Sequence, residues 1–251
     1  MTVPIYYQDD FVTLYNGNCF DILPTLECKV DMFFVDPPYG NMVRCKWDYA
    51  VDLSLLWSEL HRSGHKNTAY VFTGAQPFTS KLVMSNTKEF KQELIWRKTQ
   101  GTGHMNCKRM ALKNHENILI FYGSPPVYNP QMTAGKPYTA TNNPLKNRVY
   151  GKSVVNTTVN TTGDRYPLSV LDFKYDAQRY HPTQKPVALC VYMIQTYTNP
   201  NQVMLDPFAG AGSSLVAAKQ LGRQAIGIEL DTAYCDIIIE RLKNANPIQK
   251  D

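Results

Sequence analysis

Apolar residues in this chain come in short runs, and several of those runs stop at residues that can do chemistry. Asp31-Met32-Phe33-Phe34-Val35 is apolar after its first residue and closes on Asp36-Pro37-Pro38-Tyr39-Gly40. This predicts a buried strand ending at the carboxyl edge of an α/β sheet, where ligands bind. Val203-Met204-Leu205-Asp206 predicts a second strand, followed by the glycine turn Pro207-Phe208-Ala209-Gly210-Ala211-Gly212 and a helix over 215–221 with Gly222 as its cap. Gln224-Ala225-Ile226-Gly227-Ile228-Glu229 predicts a third strand, and Asp231 caps a helix from Thr232 to about Ala245. His115 to Phe121 reads as a further buried strand, and His181-Pro182-Thr183-Gln184-Lys185-Pro186 as a proline-bracketed helix start.

Composition narrows the class without naming a function. The chain has 251 residues, 43% hydrophobic and 19% charged, with no repeat or low-complexity block, which suits an α/β core domain carrying an insertion. Residues 1–14 include Asp9 and Asp10 and hold no apolar signal core. The longest uncharged run, Pro186 to Leu205, is broken by Gln195, Asn199, Pro200, Asn201 and Gln202, so a cytoplasmic location is expected. Six cysteines form no CxxC pair, so neither zinc nor a disulfide framework is indicated. His61 and His65 have the spacing of a helical metal pair but lack a third ligand, and read as a polar helix face; no metal is expected.

Charge alters the picture once it is mapped. Of a net +5, the stretch from Leu94 to Lys152 holds nine cations and one acid, Glu116, or +8, leaving −3 elsewhere. A one-sign field of that length suits a polyanion. The candidate nucleic-acid contacts are Arg97, Lys98, Lys108, Arg109, Lys136, Lys146, Arg148 and Lys152, with Tyr122, Tyr128, Tyr138 and Tyr150 interleaved.

The residues at the strand ends suggest two halves of one site. Asp36 can accept one hydrogen of an exocyclic amine, the carbonyl of Pro37 can accept the other, and Tyr39 can stack on the ring. Proline keeps that loop stiff and its carbonyls free. The same five residues would also suit a strand followed by a plain Pro-Pro turn. Gly210 and Gly212 allow close backbone approach to a ligand, with helix N-terminal amides aimed at its carboxylate. Position 215 is leucine, where the dinucleotide fingerprint needs glycine or alanine, so a pyrophosphate and an NAD-dependent oxidoreductase are disfavoured. Glu229, 17 residues past Gly212, can accept both hydroxyls of a ribose. In isolation, a glycine turn with a later acid also describes an ordinary αβ connection.

Taken together, Asp-Pro-Pro-Tyr at 36–39 and Asp-Pro-Phe-Ala-Gly-Ala-Gly at 206–212 resemble the catalytic and donor-binding signatures of the β-class DNA amino-methyltransferases. Asn16-Gly17-Asn18-Cys19 is similar to that family's adenine-contacting segment, with asparagine in place of its usual acid. Phe72-Thr73-Gly74-Ala75 resembles the strand end beside the target pocket, Trp96-Arg97-Lys98 and Gly101-Thr102-Gly103 a further segment, and 181–186 the segment that closes over the methionine end of the donor. The catalytic signature precedes the donor signature, an order that resembles a circularly permuted Rossmann-like class I methyltransferase sheet, mixed but mostly parallel, with helices on both faces.

The resemblance implies S-adenosylmethionine as methyl donor, double-stranded DNA as substrate and a flipped target base. It also implies a catalytic domain over 1–123 and 181–251 with a target-recognition insertion over 124–180. Catalytic roles fall on Asp36, Pro37, Pro38 and Tyr39. Donor contacts fall on Asn18, Cys19, Thr183, Lys185, Asp206, Phe208, Gly210, Gly212, Ser213 and Glu229, with Lys185 pairing with the donor's carboxylate. Adenine N6 is favoured because the motif begins with Asp rather than Ser. Cytosine N4, or a catalytically degenerate nucleic-acid-binding protein on the same scaffold, is the alternative. A homodimer and a cognate restriction endonuclease are implied by the resemblance alone.

Overall fold

The computed structural model describes residues 3–40, 50–141 and 156–246. In chain order the strands are β1 (Tyr7–Gln8), β2 (Val12–Asn16), β3 (Val30–Val35), β4 (Gly64–Gly74), β5 (Phe90–Thr102), β6 (Lys113–Phe121), β7 (Tyr138–Thr141), β8 (Thr157–Asn160), β9 (Val170–Asp172), β10 (Val203–Asp206) and β11 (Gln224–Glu229). The helices are α1 (Cys19–Ile22), α2 (Leu53–Ser63), α3 (Phe78–Ser85), α4 (Val187–Tyr197), α5 (Ser213–Gln220) and α6 (Thr232–Lys243). Among the described residues one sheet runs β1-β2-β11-β10-β3-β4-β6-β5-β9. From β2 to β4 every neighbour is parallel, whereas β6 runs against both β4 and β5.

The final strands β10 and β11 sit between the first ones, β3 and β2. Chain order is therefore cut and rejoined relative to spatial order, as the motif order implies. The apolar run of β3 is continuous because both its faces are covered. Met32 and Phe34 join a core with Leu189 and Met193 of α4, Leu215 of α5 and Ile238 of α6. Phe33 and Val35 point the other way, into a core with Leu56 and Leu60 of α2 and Phe78 and Leu82 of α3.

Local signals set the helix ends. The Asp231 carboxylate accepts from the Ala233 amide at the start of α6. Gly222 closes α5 at φ +64°, the left-handed region that glycine enters without steric cost. Asp52 caps α2 by accepting from the amides of Ser54 and Leu55. The expected polar helix face carrying His61 and His65 is not formed: α2 stops at Ser63, and His65 lies in β4. His61 faces Glu89 at 2.8 Å and His65 faces Asp31 at 3.1 Å.

The chain divides into two compact units, residues 130–168 and the rest. The smaller unit lies inside the 124–180 stretch that the resemblance marks as an insertion. Before it, the Asn129 side chain donates to the carbonyls of Gln195 and Thr198. After it, β9 pairs in parallel with Ile95–Arg97 of β5 and buries Leu171. These backbone and packing contacts hold both flanks to the main unit. Within the smaller unit, β7 and β8 pair antiparallel and the Arg165 guanidinium lies 4.5 Å from the Tyr138 ring centroid.

Candidate active site

Because β2, β3, β4, β10 and β11 are parallel, their carboxyl ends share one edge of the sheet. That edge carries Asp36 after β3, Asp206 closing β10, Glu229 closing β11, and Asn18 and Cys19 just beyond β2. The antiparallel β6 enters from the same edge, its Asn117 facing Gly74 at the end of β4, which brings Glu116 to this side. A pocket of about 650 Å³ opens there, inside the main unit.

One side of the pocket is built around the acids. Asp206 is buried; its Oδ1 accepts from the Phe208 amide at 3.0 Å and its Oδ2 from the Ser214 hydroxyl. Burial raises its pKa to about 7. Glu229 Oε2 accepts from the Gly210 amide at 2.7 Å and Oε1 from the Asp231 amide at 2.8 Å. Burial raises this acid as well. Each oxygen keeps a second lone pair for a ligand hydroxyl. Gly210 adopts φ +52°, and a Cβ there would meet nothing within 4 Å, so the turn is open toward the pocket. The Asn18 side chain caps α1 by accepting from the Phe20 amide. Cys19 is buried and its thiol is pushed up to about 12 by burial, so it is no nucleophile.

On the other side stands the Asp36–Tyr39 loop. Asp36 Oδ1 accepts from Thr73 and, at 3.1 Å, from the Tyr39 hydroxyl. One face of the Tyr39 ring stacks on Phe78, centroids 5.1 Å apart and planes 20° from parallel. Burial and then the Asp36 charge hold the Tyr39 phenol well above its ordinary value, so it stays a donor. Lys185 Nζ donates to Asp36 Oδ2 at 2.6 Å and lies 3.4 Å from Glu116 Oε2. Lys98 in turn pairs with Glu116 Oε1. Burial by itself would lower the Lys185 pKa and raise that of Glu116; the surrounding opposite charges prevail, leaving Lys185 well above and Glu116 below its usual value.

Asp36, Pro37, Pro38 and Tyr39 all line the pocket, and so do Asn18, Cys19, Thr183, Lys185, Asp206, Phe208, Gly210, Ser213 and Glu229. Gly212 does not: at φ +74° its Cβ direction faces Ile238, and it serves helix packing. The Lys185 ammonium is engaged by Asp36 and Glu116, partners the sequence did not point to. Lys98, expected on a phosphate-binding surface, has a side chain only 11% exposed and turns inward to Glu116. Arg97 is exposed but held by Asp172 through two 2.6 Å bonds. Lys108, Arg109 and Lys136 are exposed, and Lys146, Arg148 and Lys152 lie outside the described residues. The charge partnership of Glu116 was visible only as the lone acid in a basic stretch, and the Thr73 contact only as a strand end.

A permuted, mostly parallel α/β sheet whose carboxyl edge holds an acid-lined pocket beside a Pro-Pro-Tyr loop defines a methyltransferase type of domain. Residues 30–240 match the N6/N4 family model described as DNA methylase, and the chain belongs to that family. It is 54% identical over 65 residues to the putative methylase YubD of Escherichia coli K12, a match spanning 26% of this chain and 29% of that protein. Against the type II methyltransferase M.HpaI of Haemophilus parainfluenzae it is 27% identical over 244 residues, 90% of this chain and 72% of the relative. The fold is shared with a crystal structure of the M1.HpyAVI–SAM complex at TM-score 0.63 and 24% identity, covering 92% of this chain and all of that one. No helix among the described residues is long and apolar enough to cross a membrane.

Proposed function

We propose that this protein transfers a methyl group from S-adenosylmethionine to the exocyclic N6 of an adenine flipped out of double-stranded DNA. The observation that carries this reading is the continuous pocket joining the Asp36–Tyr39 loop to the Asp206–Ser214 turn and Glu229. Asp206, Glu229 and Asp231 around one half suit a cationic ligand with a ribose and disfavour a phosphate. Glu229 would take the ribose hydroxyls, and the open turn at Gly210 admits the rest of the donor. When bound, S-adenosylmethionine would supply a methyl on a cationic sulfur: as the N–C bond forms the S–C bond breaks to leave a neutral thioether, and the nitrogen gives up one of its protons to solvent.

The remaining chemistry belongs to the protein. An exocyclic amine is a weak nucleophile because its lone pair is delocalised into the ring. Asp36 and the Pro37 carbonyl, by accepting both amino hydrogens, favour a pyramidal nitrogen with its lone pair directed at the methyl. Phe78 covers one face of Tyr39, so stacking of the base would fall to the other. Extrusion costs a few kcal/mol, partly returned by that stacking. No covalent enzyme intermediate is needed, so most of the rate comes from positioning. The smaller unit would contribute target recognition, and a second subunit would extend it.

Incubation with DNA and labelled donor, followed by mapping of the modified base, tests the reading. N6-methyladenine in a defined sequence context is expected. N4-methylcytosine overturns the base assignment, and donor binding without transfer overturns the activity.

A further inference from the structure

We propose that Lys185 and Glu116 are positioning residues for Asp36, joined with Lys98 in a four-member chain of alternating charge that fixes the carboxylate in its amine-accepting pose. The inference rests on the role given to Asp36 above. Lys98 meets Glu116 Oε1, Glu116 Oε2 lies 3.4 Å from Lys185, and Lys185 is 2.6 Å from Asp36 Oδ2. The members come from β5, β6, the segment before α4 and the end of β3, so no local turn requires the alignment. The Lys185 side chain is only 4% exposed.

Such burial of an ammonium is costly unless its partners are well placed. With two carboxylates bracketing it, Lys185 cannot swing toward either without losing the other, and its position fixes that of Asp36 Oδ2. Thr73 and Tyr39 hold Oδ1 from the opposite side. The carboxylate is thereby gripped at both oxygens, and the lone pair left on Oδ2 is the one available to an amine hydrogen. Glu116 never meets the base in this scheme. Its Oε2 lies 3.4 Å from Lys185, within ion-pair reach. Lys98, packed 5.0 Å from the Trp96 ring centroid, anchors the far end.

The chain predicts coupling, which a merely structural cluster does not. Single-turnover rates and the affinities for donor and DNA are measured for Lys185→Met, Glu116→Gln and the double variant, each checked for folding. Lys185→Met is expected to lower the methyl-transfer rate about 100-fold, the scale of a misplacement near 1 Å. Glu116→Gln is expected to lower it about 10-fold, with both affinities unchanged. In the double variant the rate equals that of Lys185→Met alone, because Glu116 acts only through Lys185. Multiplying losses, or a parallel loss of donor binding, overturns the proposal. Should Lys185→Met fail to fold, Glu116→Gln decides: a rate loss at unchanged affinities supports the chain, and an unchanged rate overturns it. Asp36→Ala keeps the two readings apart. If it still turns over, the role of Asp36 itself fails; if it is inactive while the other losses multiply, only the chain fails.

Discussion

Glu229 Oε2 accepts a 2.7 Å hydrogen bond from the Gly210 amide, tying the acid that ends β11 to the turn that follows β10. The carboxylate thus holds the glycine turn in place while its free lone pairs face the pocket. Replacing Glu229 by alanine removes both functions. A charged hydrogen bond contributes roughly 1.5–3 kcal/mol, so donor affinity should fall about 10- to 100-fold by calorimetry. Unchanged affinity would remove the ribose role.

Thr73 offers a finer probe of the amine-binding loop. Its hydroxyl reaches Asp36 Oδ1, and the Tyr39 hydroxyl lies 3.4 Å away. Thr73→Val keeps the shape and deletes the donor. The expected result is a transfer rate lower by about 10-fold, the scale of one deleted hydrogen bond, with donor affinity intact. If donor affinity drops instead, Thr73 supports the other half of the pocket.

Strand ends and helix caps were legible in the sequence because they rest on local rules. The stretch Asp31–Val35 and the prolines after it sufficed for β3, and Gly222 and Asp231 marked their helix boundaries where the structure has them. What the sequence hid was pairing across the sheet. Lys98 and Glu116 are 18 positions apart, and Lys185 and Asp36 are 149 apart. No periodicity reports such contacts, so nothing in the sequence joined Lys98 to Glu116 or Lys185 to Asp36. Strand β9 was hidden in the same way: Val170-Leu171-Asp172 is too short a run to announce a strand, and only its pairing with β5 makes it one.

Asp206 should leave a signature in stability against pH. Burial raises its pKa from 3.8 to about 7. An acid whose folded pKa lies above its unfolded value stabilises fully below the unfolded pKa, and the contribution is lost as pH rises through the folded one. Three pKa units correspond to about 4 kcal/mol at most. Wild type should therefore lose stability between about pH 4 and 7 relative to Asp206→Asn, whose side chain does not titrate. Thermal melts of both proteins across that window measure the difference, and parallel curves would refute the assignment.

Surface cations separate by their partners. Lys108 and Arg109 are exposed with no ionic partner among the described residues, whereas Arg97 is engaged by Asp172 on both sides of its fork. Removing one cation that meets a phosphate should reduce the slope of log K against log salt by about 0.9. Lys108→Ala with Arg109→Ala is expected to weaken DNA binding and flatten the slope by nearly 2, while Arg97→Ala changes it little. Salt titrations of binding decide, and an unaltered slope in the double variant places the DNA surface elsewhere.

Gly210 and Gly212 both have positive φ, yet they should fail differently when substituted. At Gly212 a Cβ would stand 2.8 Å from Ile238 Cγ1, inside the packing of α6, in addition to the strain of φ +74°. Gly212→Ala is expected to destabilise the fold by roughly 1–3 kcal/mol, read as a lower Tm. At Gly210 the added methyl meets no protein atom and projects into open space at the pocket turn. Gly210→Ala should therefore cost about 1 kcal/mol in stability, from its φ alone. Its larger effect should be on donor affinity, since the methyl occupies the volume the donor needs. Melting curves with and without S-adenosylmethionine distinguish the two. Equal donor-induced shifts in wild type and Gly210→Ala would mean that the donor does not approach this turn.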